Sequence, residues 1–322
     1  MGRKAIIAVL VLLGLAIAGI ILADFLGRGA GNRGSNPYYL NLDEYNEVDP
    51  EQILYREIRQ IDLGTLVPAG IDFYDGNLWM AANGTMLKIS PEGGELLKTS
   101  IDDHPTCIHA GKSGIFVGFQ GYILSFDPGG VAVSRFTVPG DSSRITSLVV
   151  MNGSLFAADA GQRKVHRFLM NGEWVSSFSG KRNQDDLHGF IIPSGFMDLA
   201  LLGDDELWVA NTGMHALENY TAEGDLRGYW EKTSITIEGF CGCCNPSHFD
   251  IFDDGTFVTS EKGIFRIKVY RPSGEFIGVV AEPDRFKGAT RPAEVAAGDD
   301  GRVYALDFDR KMIRVFEKKE RS

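Results

Sequence analysis

Several familiar signatures are missing from this chain, and each absence removes a class of function. There is no Gly-x-Ser-x-Gly elbow, no His-Glu-x-x-His, no phosphate-binding P-loop and no Rossmann fingerprint. A conventional hydrolase or nucleotide enzyme is therefore unsupported. Positive charge is also short: 32 Lys and Arg face 43 Asp and Glu, for a net charge of −11. That balance leaves no surplus cations to neutralise phosphates, so no nucleic-acid partner is expected. Helical heptads are scarce, whereas glycine is abundant at 39 residues. Together these point to an all-β chain with many turns. Cysteine is rare, with four in 322 residues.

Long apolar runs are confined to one place. Ala5 to Ala23 carries no charge and is about the length needed to cross a hydrocarbon core as a helix. Arg3 and Lys4 precede it, which favours a cytoplasmic N-terminus. Ala16-Ile17-Ala18 has the small-x-small form of a cleavage site, but the apolar run continues past it, which favours an uncleaved anchor. The expectation is a transmembrane anchor over 1–26, a linker over 27–52, and a body over 53–319 on the extracytoplasmic side. The linker opens as a Gly-rich tether, Gly27 to Asn36, followed by an acidic stretch.

From Pro68 onward the chain repeats itself. Aromatic strands recur at Leu78-Trp79-Met80, Ile115-Phe116-Val117, Leu155-Phe156-Ala157, Leu207-Trp208-Val209, Phe257-Val258 and Val303-Tyr304-Ala305. Each is followed by a third strand, such as Met86 to Ile89 or Lys164 to Phe168, and then by a Gly turn. Six units of four strands at this period predict a six-bladed β-propeller. The sixth unit lacks a fourth strand, and Ile53 to Leu63 is a strand without a unit. Pairing the two closes the ring and removes its open edges.

Openings such as Pro68-Ala69-Gly70-Ile71 and the segment Leu155 to Val165 resemble NHL repeats over roughly residues 53–319. That resemblance implies a propeller but does not choose a function, because the family includes interaction platforms, RNA-binding repressors and a peptide-amidating lyase. In the lyase branch a His ahead of a Pro helps bind metal, which brings His188, ahead of Pro193, into consideration.

Three of the four cysteines lie in Cys241-Gly242-Cys243-Cys244-Asn245-Pro246-Ser247-His248. Thiols and imidazole are the usual ligands of soft metals, and thiols are redox-active. Counting back from the aromatic markers places Gly70, Cys107, Ser147 and His248 at one repeat position; Phe196, from matching Met197-Asp198 to Phe249-Asp250 in a unit that carries an insertion, and Glu294, the counterpart in the sixth unit, join them, ringing the channel mouth. Cys107 and His248 then belong to units opposite each other in the ring. Three readings follow. The cysteines form one or two disulfides, including a vicinal Cys243–Cys244 ring. Or Cys107, Cys241, Cys243, Cys244 and His248 form a metal or redox site, with Zn, Cu or Fe as the metal. Or the thiols are buried and inert. Lys262, beside them in Glu261-Lys262-Gly263, would favour a thiolate.

Other polar residues are read more plainly. His104, His109 and His215 are expected to be hydrogen-bonded or solvated. Asp159, Asn211 and Asp307 recur at the ends of aromatic strands, where turn hydrogen bonding explains them. Asn83 and Asn152 match the glycosylation sequon but read as Asn-Gly turns, and Asn219 also matches it. Two functions are expected: a membrane-anchored module binding a protein or small-molecule ligand at the propeller face, or a metal- or redox-active protein, conceivably a lyase- or oxidoreductase-type enzyme.

Overall fold

A computed structural model describes residues 2–27, 45–181 and 189–320. The chain divides into two units, 1–42 and 43–322. The first contains one helix, α1 (Arg3–Gly27), built from Ala, Leu, Ile and Val with no acidic residue in its first turn and no basic one in its last. Its described side chains from Leu10 to Leu22 are exposed all round, so no stripe of the helix packs against a partner of its own unit. Counting only described residues, no helix is long and apolar enough to cross a membrane. The tether expected over Gly27 to Asn36 falls almost wholly outside the described residues, as does His188.

The second unit is a ring of six four-stranded antiparallel sheets. Strand β1 (Tyr55–Asp62) precedes blade 1, which holds β2 (Pro68–Tyr74), β3 (Asn77–Ala82), β4 (Thr85–Ile89) and β5 (Glu95–Ser100). Blade 2 holds β6 (Cys107–Gly111), β7 (Gly114–Gly118), β8 (Tyr122–Phe126) and β9 (Ala132–Thr137). Blade 3 holds β10 (Ile145–Met151), β11 (Ser154–Asp159), β12 (Lys164–Leu169) and β13 (Trp174–Phe178). Blade 4 holds β14 (Leu199–Leu202), β15 (Glu206–Asn211), β16 (Ala216–Tyr220) and β17 (Leu226–Glu231). Blade 5 holds β18 (His248–Ile251), β19 (Phe257–Ser260), β20 (Ile267–Tyr270) and β21 (Phe276–Ala281). Blade 6 holds β22 (Glu294–Ala297), β23 (Val303–Asp307) and β24 (Met312–Lys318), and β1 pairs with β24 as its outer strand. The spare strand and the missing strand meet as expected, so the ring has no unpaired seam.

The burial pattern follows from this arrangement. Second strands such as β11 and β23 are buried along their whole length, because each of their faces meets a neighbouring blade. They therefore read as continuous apolar runs rather than alternating ones. Outer strands such as β5 and β9 are largely exposed. The core is not one nucleus. It is six apolar clusters, each lying between two adjacent blades, from Trp79 with Phe119 (blades 1 and 2) round to Ile71 with Tyr304 (blades 6 and 1). Asn152 and Gly153 both have positive φ, at 49° and 70°, so this pair is the Asn-Gly hairpin turn that the sequence implies.

Candidate functional site: the propeller axis and the cysteine loop above it

The innermost strands line a cavity of about 570 Å³ on the axis. It runs from Ser147, Asp198 and Glu294 to the first hairpin turns at Asp75, Lys112, Asp253 and Asp299. Side chains stitch these strands together from blade to blade. Glu294 Oε1 accepts from Ile71 N–H at 3.4 Å, closing blade 6 onto blade 1. Ser147 Oγ accepts from Leu199 N–H at 3.1 Å, and Asp198 Oδ2 accepts from Phe249 N–H at 3.0 Å. One layer further in, Asp72 accepts from Ala110 N–H at 2.8 Å and Asp250 from Ala297 N–H at 2.7 Å. Each bond gives a buried backbone donor a partner that β pairing cannot supply, since the blades do not pair with each other.

This stitching crowds four carboxylates, Asp72, Asp198, Asp250 and Glu294, around one cavity. Burial and the nearby Asp72 push the Asp250 carboxyl up to about 8. Burial and Asp198 push Glu294 well above the usual carboxylate range. His109 stands in the same wall with Nδ1 2.9 Å from Asp72 Oδ2. The cavity is thus short of positive charge, with Lys112 at its turn end.

Gly70, Cys107, Ser147, His248 and Glu294 occupy equivalent places at the starts of the inner strands. Glycine at 70 has a steric reason: a Cβ there would lie 3.0 Å from Cys107 Cα and 3.3 Å from Glu294 Oε1. Phe196 is a correction. The fourth position is Asp198, whose carbonyl accepts from Ala210 N–H at 2.9 Å; matching Asp198 to Asp250 set this unit two residues out of register, since Asp198 stands level with His248. Phe196 instead meets the His248 ring edge-on, with centroids 5.5 Å apart.

The cysteine loop lies at the strand-start end of the axis, and none of its sulfurs lines the cavity. Asn245 organises it. Its side-chain amide donates to the carbonyls of Cys241 (2.5 Å) and Lys262 (2.9 Å), and its oxygen accepts from Lys262 N–H at 2.8 Å. Ser247 Oγ donates to Cys244 O at 2.9 Å, and the Gly242 carbonyl lies 2.6 Å from His215 Nε2. Gly242 itself sits at φ 80°, a conformation that suits glycine. Below the loop, buried Glu261 holds Arg266 and Lys268, each at 2.7 Å. Arg266 and Lys268 donate onward to the carbonyls of Thr236, Ile237 and Gly239, pinning the stretch that leads into the cysteines.

All four cysteines are free, so the expected disulfides are not formed. Cys107 is buried in the apolar cluster between blades 2 and 3 with Ile145 and Phe116, and burial pushes its thiol up. Among the described residues no group of three or more His, Cys, Asp or Glu could hold a metal ion, so the shared Cys107–His248 metal site is not assembled. The physical reason is direction: a shared repeat position fixes where a Cα sits, while Cys107 turns its sulfur into the blade interface beside Ile145. His248 pairs instead with Asp198, Nδ1 to Oδ2 3.5 Å, and its Nε2 is buried without a hydrogen-bond partner among the described residues. Lys262 Nζ lies 3.7 Å from Cys244 Sγ.

Asp159, Asn211 and Asp307 close turns as read. Asp159 accepts from the N–H groups of Arg144 and Gln162, Asn211 from Ile191, and Asp307 from Arg310. The residues missed from sequence are Asp72, Asp198, Asp250 and the His109 pairing. A signal existed for them: acidic residues standing within apolar inner strands, where a carboxylate needs buried donors to justify its place.

No family model matches the chain, and no curated protein matches it. Solved structures do. A streptogramin B lyase superposes with a TM-score of 0.59 at 12% identity, covering 84% of this chain and all of that one. A catalytically inactive virginiamycin B lyase from Staphylococcus aureus with quinupristin gives 0.57 at 14% identity, covering 82% and 100%. A protein of unknown function from Bacteroides caccae gives 0.54 at 13%, covering 69% and 84%. At these identities the likeness is one of fold.

Proposed function

We propose that this chain is a membrane-anchored, extracytoplasmic propeller of the NHL type that binds a cationic ligand on its axis. The observation that carries the reading is the 570 Å³ cavity whose wall includes Asp72, Asp198, Asp250 and Glu294. Two of those carboxylates hold protons that a cation would displace, because burial and their acidic neighbours raise them. Cation binding is therefore linked to proton release, and affinity rises with pH. Spermidine serves as a probe, titrated calorimetrically against the detergent-solubilised full chain. Binding that strengthens from pH 6 to pH 9 and is lost in Asp250→Asn supports the reading. Equal binding of an anionic probe, or none of spermidine, overturns it.

The anchor rests on the uncharged run Ala5 to Ala23 and on Arg3 and Lys4 before it. Alkaline extraction of membranes tests it. The chain should stay in the pellet, and a chain starting at residue 35 should not.

A second reading rests on the Asp72–His109 pair. A carboxylate on Nδ1 fixes the imidazole tautomer and leaves Nε2 to accept a proton, as a general base requires. Turnover in the cavity that His109→Gln abolishes, with spermidine binding intact, would favour this reading over simple binding.

A further inference from the structure

Cys243 and Cys244 differ from the other thiols of the chain in three ways that converge on one chemistry. Their sulfurs are in contact, Sγ to Sγ 2.9 Å. One of the pair is open to solvent and the other buried, as an attacking and a resolving thiol would be. A single cation addresses the buried one, with Lys262 Nζ 3.7 Å from Cys244 Sγ. The two sulfurs share one hydrogen bond, along which a proton can pass from one to the other. The loop is held for this arrangement by Asn245 and Ser247, so the two sulfurs do not have to find each other.

We propose that Cys243 and Cys244 form a thiol–disulfide exchange centre, a site separate from the axial cavity, whose substrate is a disulfide reaching the loop from solvent. In the first step Cys243 Sγ attacks one sulfur of the substrate disulfide R–S–S–R′. The Cys243–S–R bond forms, the S–S bond breaks, and R′–S⁻ leaves and takes up the Cys243 proton by way of Cys244. In the second step Cys244 Sγ, beside the Lys262 ammonium, gives up its proton and attacks Cys243 Sγ. The vicinal disulfide forms, and R–S⁻ leaves with the remaining proton. Two thiols of the chain are oxidised and one substrate disulfide is reduced to two thiols, so electrons and protons balance. Run in reverse, the oxidised loop transfers a disulfide to a dithiol substrate.

The other two cysteines act as internal controls. Cys107 lies within the blade interface and is out of reach of a disulfide in solution. Cys241 is only partly exposed, and the sulfur contact joins Cys243 to Cys244.

The experiment uses the full chain, reduced, freed of reductant and exposed to glutathione disulfide, with free thiols counted and cysteine-containing peptides mapped by mass. The expected result is loss of two thiols per chain, release of two glutathione thiols, and a 243–244 disulfide. Cys244→Ser should stop at a stable mixed disulfide on Cys243, and Cys243→Ser should not react. Lys262→Met should slow the second step and leave the first unchanged, which a purely structural lysine would not do. A disulfide joining Cys241 to either neighbour overturns the proposal, as does retention of all four thiols or glutathione captured first at Cys244. Circular dichroism of each variant establishes that it is folded. Should Cys244→Ser fail to fold, rapid alkylation of the wild-type chain during oxidation traps the same intermediate, and its position on residue 243 or elsewhere decides the matter.

Discussion

Blades 3 and 5 carry the same device in the same place and use it for opposite ends. In blade 3, Asp159 at the end of the second strand reaches His166, seven residues on, and also accepts from Gln162 and Arg144. Asn211 with Glu218 and Asp307 with Arg314 repeat that spacing in blades 4 and 6. All three close a short turn within their own blade. In blade 5 the pair is Glu261 with Lys268, again seven apart, and Arg266 is added. Here the polar cluster turns outward, and its cations grip the carbonyls of Thr236, Ile237 and Gly239. A repeat position that elsewhere tidies a turn has become the foundation of the cysteine loop. Turn closure and loop support draw on one structural slot, and what separates them is where the spare hydrogen bonds go.

Substitutions sharpen that contrast. The largest effect is expected at Glu261. Glu261→Gln leaves Arg266 and Lys268 buried beside a neutral partner, and breaking a buried ion cluster in this way costs about 3–5 kcal/mol. Denaturant unfolding measures the loss. If the cluster serves the loop, the variant also exposes Cys241 to thiol reagents at low denaturant, before global unfolding. An unchanged thiol-labelling rate would remove the foundation role.

Asp159→Asn, in the self-contained version, should cost less, about 1.5–3 kcal/mol, the scale of hydrogen bonds to a charged group. Burial pushes this carboxyl up, but hydrogen bonds from His166, Arg144 and Gln162 outweigh it and hold it at about 2. A depressed folded value means that its contribution is complete above the unfolded value near 3.8 and is lost as pH falls through 2. Stability curves of wild type and variant should therefore converge below about pH 2. Gly70→Ala comes next, at about 1–3 kcal/mol for overpacking. Backbone rather than a yielding side chain stands in the way of the new Cβ.

Asp250→Asn carries the opposite sign. The folded-state value is about 8 against 3.8, so the native state holds a proton that the unfolded chain releases. Asp250 thus subtracts stability progressively as pH rises from about 4 to 8, and nothing below 4. The variant should match wild type at pH 4 and exceed it at pH 9, by urea unfolding at both. A variant weaker than wild type at pH 9 would show that the Ala297 hydrogen bond outweighs the burial of charge.

Much of the ring was legible because a propeller repeats. Six aromatic strands at regular spacing, a spare strand at one end and a missing one at the other fix the blade count and its closure. The register failed at Phe196, where matching Asp198 to Asp250 in the unit with the insertion is two residues out and Asp198 takes the place. The cysteine loop was legible as a cluster of reactive types but not as a state. Disulfide, metal and free thiol all fit the spacing Cys-Gly-Cys-Cys, and the choice depends on where Sγ atoms point.

Sequence alone determined what repetition and composition can carry: an all-β ring of six blades, inner strands placed around an axis, and reactive residues grouped in one loop. Tertiary structure decided which of those residues meet. It turned Cys107 into an interface, set Lys262 against Cys244, and drew Asp72, Asp198, Asp250 and Glu294 around one cavity from four blades. Strand period records which face a side chain occupies along its own blade. Contacts between blades depend on approach distances and rotamers across the interface, and no periodicity in the chain encodes those.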